Sequence, residues 1–128
     1  MLLRQVLRSK IHMAKIVKTE LFYEGSIGID AKLLTESGIL PSERVQVLNL
    51  NNGERLETYV IEEEEGSGIV ALYGPAAKRG QVGDRVCILC YALVDEKELK
   101  KIKPKTIILD EKNLVISRKE GPSTSHLH

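Results

Sequence analysis

Three short stretches bring together side chains suited to chemistry on a peptide bond or a carboxylate. In FYEGSIGID, Gly25-Ser26 sets a hydroxyl beside a glycyl carbonyl that no side chain shields. In NNGERLETYVI, Arg55 and Tyr59 are four residues apart and share one face of an extended chain. The Arg55 guanidinium can hold a carboxylate through two parallel hydrogen bonds. In SKIH, Lys10 and His12 alternate onto a common face as well. Each stretch also has an ordinary meaning. Chance alone supplies about half a Gly-Ser pair in a chain of this length. The sequence holds two, and Gly66-Ser67 follows four glutamates in what reads as a plain loop. By itself Gly25-Ser26 is a turn, Arg55 an exposed hairpin arginine, Tyr59 one aromatic on a half-buried strand, and Lys10 and His12 a solvated charge and a satisfied histidine.

The elements that must position these residues are short and mostly extended. The first twenty residues alternate aliphatic and basic side chains. DAKLLTESG predicts one short helix, with Asp30 as its N-cap, Leu33 and Leu34 facing the core and Gly38 ending it. ERVQVLNL and ERLETYVIE flank NNG, a turn that favours positive φ, and predict a hairpin. Glu62 to Glu65 read as a solvated turn, GIVALYG as a strand, PAAKR as a short helix, and DRVCILCYALV as a long apolar strand. DEKELKK predicts a helical turn or two, and KTIILDEKNLVISR a last hairpin. Residues 119–128 carry no core-forming pattern and are expected to form a flexible tail. Many short strands with a few short helices in 128 residues predict a single mainly β domain, closed as a barrel.

Composition narrows the function classes. Lys+Arg number 19 and Asp+Glu 18, which offers no electrostatic footprint for nucleic acid or an anionic membrane. No apolar run has the length of a membrane helix, and the charged start does not resemble a signal peptide, so a cytoplasmic protein is expected. Without Trp and with one Phe, the core must be aliphatic. Cys87 and Cys90 fall three apart on one strand, with side chains expected on opposite faces and no redox or metal role. Two histidines in the terminal SHLH are weak evidence for a metal.

Taken in order and at their spacing, SKIH, YEGS, NNGERLETYVI, GSG, GPAA and VGDRV give the chain a character that no single piece has. The set resembles the aspartate 1-decarboxylases, pyruvoyl-dependent enzymes that make β-alanine for pantothenate and coenzyme A synthesis. The resemblance runs from about Leu2 to Val94 and weakly beyond. It implies a double-psi β-barrel, a homotetramer with active sites between subunits, and a proenzyme that cuts itself between Gly25 and Ser26. Residues 1–25 would become a β chain and 26–128 an α chain, with Ser26 converted to the covalent pyruvoyl cofactor that forms a Schiff base with L-aspartate. Further implied roles are Tyr59 as proton donor, Thr58 in processing and substrate contact, and the backbone of Gly74, Pro75 and Ala76 lining the substrate site. Arg55 and Lys10 would bind substrate carboxylate, with His12 and Tyr23 in support. A maturation factor is a conceivable further partner.

The chain departs from the family pattern at one loop. The common form there is Asn-Gly followed by three alanines; here it is YGPAA, with Tyr73 for the asparagine and Pro75 for the first alanine. Pro75 has no N–H to donate, and Tyr73 cannot reproduce an amide's donor and acceptor pair. Thr58 points away from Arg55 and Tyr59 on an ideal strand, so a bulge, a strand end or a second subunit must reconcile the three. The competing readings are a non-catalytic double-psi barrel that binds a partner, and a pyruvoyl decarboxylase acting on another acidic amino acid.

Overall fold

The extended N-terminal segment divides into β1 (Leu3–Lys15) and β2 (Lys18–Glu20). This division closes the molecule. β1 pairs antiparallel with β7 (Arg85–Asp95), while β2 pairs parallel with β6 (Val70–Tyr73). Between those two partners the strand order is β6-β3-β5-β4-β7, where β3 is Ser26–Asp30, β4 Arg44–Asn49 and β5 Arg55–Glu63. One nearly continuous segment, residues 3–20, thus borders both ends of a five-strand run and curls it into a barrel. β8 (Lys105–Leu109) adds parallel to β1, and β9 (Val115–Glu120) completes the sheet as a hairpin partner of β8. The parallel pairs β2–β6 and β3–β5 lie side by side in the closed run, joined by the antiparallel pairing of β3 with β6, which agrees with the mainly β barrel that the sequence predicts. The computed structural model describes residues 1–121.

Local sequence explains the individual elements. In β4, Val45 and Val47 are buried while Arg44, Gln46 and Leu48 are less so, the period-2 pattern of a strand with one face inward. β7 lies between β1 and β4 in the sheet, and consecutive residues Val86, Cys87 and Ile88 of its first half are buried, so it reads as a continuous apolar run. This also accounts for the cysteines. Cys87 and Cys90 are both buried and free, and burial raises both thiols above their ordinary range. The core is aliphatic as expected, built on residues such as Ile11, Ile27, Ile29, Val60, Leu72 and Ile88. Phe22 stays outside it, 93% exposed.

The NNG hairpin, the helix and the last hairpin form where the sequence places them, and PAAKR and DEKELKK form 3₁₀ turns, Gly74–Lys78 and Glu96–Lys101. Three expectations need correction. FYEGSIGID is a loop only as far as Gly25; SIGID is β3, and all five of its residues are buried. Glu62 and Glu63 belong to β5, because the parallel pairing with Ile29 and Asp30 carries that strand to Glu63. The tail starts later than residue 119: Lys119 and Glu120 pair with Thr106 and Lys105, while the remaining expectation, on residues 122–128, falls outside the described residues. Among the described residues no helix is long and apolar enough to cross a membrane.

Asp30 joins β3 to the rest. As expected it caps α1 (Ala31–Ser37), accepting from the Lys32 N–H at 2.8 Å, while Gly38 ends that helix with φ +78°. Its carboxylate also accepts from the N–H groups of Gly66 (2.9 Å) and Gly68 (2.8 Å), so the second Gly-Ser loop is tied to the end of β3. Asp30 is 3% exposed, and removing a buried acceptor leaves its donors without partners. Asp30→Ala is predicted to lower folding stability by about 3 kcal/mol. Urea denaturation should show a lower midpoint with unchanged slope; an unmoved midpoint would contradict this role.

Candidate active site

β5 is paired unevenly along its length, and the site occupies the gap. On one side β4 covers it from Arg55 to Tyr59; on the other, β3 meets it only from Val60 to Glu63. The first half of β5 therefore has a free edge. A cavity of about 550 Å³ opens there, bounded by Gly25, Arg55, Thr58, Tyr59, Pro75 and Ala76, with Leu56, Glu57 and Arg79 completing its wall. The edge resolves the difficulty over Thr58. Consecutive residues of β5 reach the cavity because it flanks the strand rather than lying on one face, and the β4–β5 register runs without a shift. No bulge is required.

Gly25-Ser26 sits at the head of β3. The parallel register with β5 begins at Ile27 beside Val60, so Gly25 and Ser26 lie just ahead of the paired stretch, on the side of β5 that carries Thr58 and Tyr59. Ser26 is 1% exposed, and its hydroxyl donates to the Glu24 carbonyl at 3.2 Å. Gly25, one residue earlier, is at the cavity wall, so the serine is held just behind it. Pro75 and Ala76 of the loop YGPAA form the opposite wall, and Gly74 stands behind them against the cleavage-site loop. Gly74 has φ +68°, and a Cβ there would lie 2.7 Å from both Gly25 Cα and the Tyr23 carbonyl oxygen. Pro75 opens the 3₁₀ turn, and its Cδ would stand 3.5 Å from a Cβ placed on Gly25.

Charge at the cavity is unevenly committed. Arg79 pairs with Glu54 at 3.0 Å, and Arg44 holds Glu57 at 2.6 Å. Among the described residues Arg55 makes no ion pair, which leaves its guanidinium available to a ligand carboxylate. Arg79 is a wall residue that sequence reasoning missed; it follows the 3₁₀ turn, and nothing in PAAKR distinguishes it from a solvated arginine. Tyr73 is absent from the wall. It turns inward instead, 4% exposed, with its hydroxyl donating to Glu63 at 2.6 Å. Tyr23 lies against it, ring centroids 4.9 Å apart, and is likewise not on the cavity wall.

Lys10 and His12 are not brought to this cavity. They lie on β1, paired with β7 and β8, and two strands, β4 and β7, intervene before β5. Burial and the positive charges of Lys10 and Lys119 lower the His12 pKa below its ordinary 6.5, which keeps the imidazole neutral at pH 7. Its buried Nδ1 has no hydrogen-bond partner among the described residues. No cluster of His, Cys, Asp or Glu suited to a metal occurs among the described residues.

The contact between Gly74 and residues 23–25 gives a direct expectation. Gly74→Ala combines an unfavourable φ with a backbone clash and should cost about 2–4 kcal/mol. The Gly25 and Ser26 amides should exchange hydrogen faster in that variant. Unchanged stability and exchange would show that the walls are not in close contact.

Residues 2–116 match the aspartate decarboxylase family. An aspartate 1-decarboxylase of Carboxydothermus hydrogenoformans is 51% identical over 115 residues, covering 90% of this chain and 91% of the relative. One of Caldicellulosiruptor saccharolyticus is 49% identical over 124 residues, 95% of this chain and 97% of the relative. The solved structure of the rationally designed protein mkDPBB_sym_86 aligns at a TM-score of 0.45 and 21% identity, over 60% of this chain and 90% of that one; the barrel described above rests on strand order alone. With a match across nearly the whole length, and the expected cleavage-site glycine sharing a cavity with Arg55, Thr58 and Tyr59, the chain belongs to the aspartate decarboxylase family.

Proposed function

We propose that this chain is the self-processing precursor of an L-aspartate decarboxylase that releases β-alanine and CO₂, with β-alanine supplied to pantothenate synthesis. The observation that carries the reading is the shared cavity: Gly25, directly before Ser26, lines the same 550 Å³ space as Arg55, Thr58 and Tyr59. That volume suits a small amino acid.

Processing needs no group beyond the chain itself. Ser26 Oγ attacks the Gly25 carbonyl, and the amide nitrogen leaves as the Ser26 amine, which turns the peptide bond into an ester. The Thr58 hydroxyl, which lines the same cavity as Gly25, donates to the oxyanion that develops. Loss of the Ser26 α-proton then expels the Gly25 carboxylate and leaves a dehydroalanine at position 26. Water releases ammonia from it and leaves a pyruvoyl ketone. A buried residue 26 directly behind an unshielded glycine is compatible with that group: the ketone carbon would stand at the cavity wall once the Gly25 end moves away.

The pyruvoyl group supplies an electron sink for the pair released as CO₂ departs. The chain's own residues bind and orient. Arg55, uncommitted among the described ion pairs, takes a substrate carboxylate, which accounts for an acidic substrate. Tyr59 lines the cavity with Gly25, the residue before Ser26, and provides the proton that replaces the lost carboxylate. Gly74, Pro75 and Ala76 shape the facing wall, with Pro75 contributing a carbonyl but no N–H. Lys10 and His12 lie outside their own chain's cavity, which favours their arrival from another subunit of a homotetramer. A maturation factor could set the rate of the cut without altering its chemistry.

Intact mass under denaturing conditions tests the reading. The wild-type chain should split into residues 1–25 and 26–128, the larger piece carrying an N-terminal pyruvoyl. Ser26→Ala should stay whole and inactive; residual decarboxylation in that variant would sink the mechanism. Tyr59→Phe is expected to be cut normally yet lose about 10²–10⁴-fold in kcat. Unimpaired turnover there would assign the proton to another group.

A further inference from the structure

Strands β6, β3 and β5 lie side by side, and one side-chain hydrogen bond spans all three. Tyr73, the last residue of β6, reaches across β3 and donates its hydroxyl to Glu63, the last residue of β5, at 2.6 Å. Gly28 of β3 lies directly beneath. A Cβ at that position would fall 2.0 Å from Glu63 Oε2 and 2.8 Å from Tyr73 Cε2. The absence of a side chain at Gly28 therefore makes the crossing feasible. Tyr23 flanks the ring at an interplanar angle of 48°, and Lys18 Nζ stands 5.5 Å from its centroid.

The crossing concerns Ser26 in two ways. Tyr73 and Ser26 are direct partners in the antiparallel β3–β6 register. Ser26 and Gly28 are two apart, so they share the face of β3 over which the ring and carboxylate meet. Burial and the adjacent Glu63 carboxylate raise the Tyr73 phenol well above its usual range, which keeps it a donor wherever Glu63 is ionised. The family's usual asparagine at this position could not make this bond, because inter-strand gaps of about 4.8 Å must be crossed twice. Tyrosine and glutamate together span them.

We propose that the Tyr73–Glu63 hydrogen bond is a strap across β3 that positions Ser26 for cleavage of the Gly25–Ser26 bond and afterwards holds the reactive end in the cavity. Tyr73 and Glu63 are thus positioning residues that act through Ser26, since neither lines the cavity. The inference rests on the self-processing reading above. A loosened strap misplaces the attacking oxygen, and a displacement on the order of 1 Å at a reacting group costs up to about a hundredfold in rate.

The test follows the appearance of the two fragments by mass, then kcat and KM on fully cleaved protein. Tyr73→Phe keeps the ring and loses the donor; Glu63→Ala loses the acceptor; Glu63→Gln keeps a carbonyl to accept the bond. Tyr73→Phe and Glu63→Ala should each slow cleavage at least about tenfold and lower kcat with little change in KM. Glu63→Gln should restore both rates to near wild type, a rescue that a charge effect would not give, while a slow Tyr73→Phe, which keeps the ring, excludes loss of bulk. If Tyr73→Phe fails to fold, Glu63→Met, which keeps the length but has no acceptor oxygen, should be slow where Glu63→Gln is fast. Wild-type rates in Tyr73→Phe or Glu63→Ala, or a Glu63→Gln as slow as Glu63→Ala, would overturn the strap alone. A wild-type chain that remains whole would refute the self-processing reading and the strap with it.

Discussion

The backbone of Gly74 and the backbone of residues 23–25 approach so closely that no side-chain atom fits between them. A Cβ on Gly74 would sit 2.7 Å from Gly25 Cα and from the Tyr23 carbonyl oxygen. The rest of the site follows from that contact. It brings the end of β6 against the loop that enters β3, so Pro75 and Ala76 become a wall facing the first half of β5. It forces Tyr73, one residue earlier, to leave by the other side of the strand. There the phenol finds Glu63 over the empty position at Gly28. Two glycines thus do complementary work: Gly74 lets two backbones meet, and Gly28 lets a side chain pass over a third strand.

The free edge of β5 follows from the parallel pairing. A parallel partner needs a crossover connection, and β3 enters its pairing with β5 only at Ile27, after the loop has come round from β2. Five residues of β5 are left with one neighbour rather than two. A strand edge inside a barrel would ordinarily be a liability, with backbone groups open to solvent. In this fold it becomes the cavity, and the side chains that reach it come from consecutive positions. Arg55, Thr58 and Tyr59 converge for that reason, although strand alternation on a flat sheet would separate Thr58 from the other two.

How much was legible in the sequence depended on how local the cause was. The NNG hairpin and the helix between Asp30 and Gly38 form from signals within a few residues, and both appear as the sequence places them. β3 was missed because its cause is remote. SIGID is short and contains a glycine, and it becomes a strand only because residues 60–63 and 70–73 flank it. Glu63 was hidden in a run of four glutamates. Its contact with Tyr73 depends on a residue ten positions away and on a gap left by a third. Of the candidate residues, those on β5 meet Pro75, Ala76 and Gly25 in one cavity, with Gly74 just behind the wall. Lys10 and His12 do not, since their distance from β5 is set by strand order rather than by any local pattern.

Strand order also explains why a chain cut at Gly25–Ser26 would not disperse its own site. The two sides of that bond are held by different means. Ser26 begins a strand paired on both edges, parallel to β5 and antiparallel to β6, and Asp30 at its far end is tied to three backbone N–H groups. Gly25 ends a loop whose side chains at Leu21, Phe22 and Tyr23 are exposed. Residues before the bond stay with the barrel through β1 and β2, at some remove from the break. Cutting there would free the glycine end to swing while leaving residue 26 fixed. On the self-processing proposal, a reactive group made from the chain would have to stay in register after its own peptide bond was gone, and β3 would meet that demand because its anchors all lie on the serine side of Gly25–Ser26.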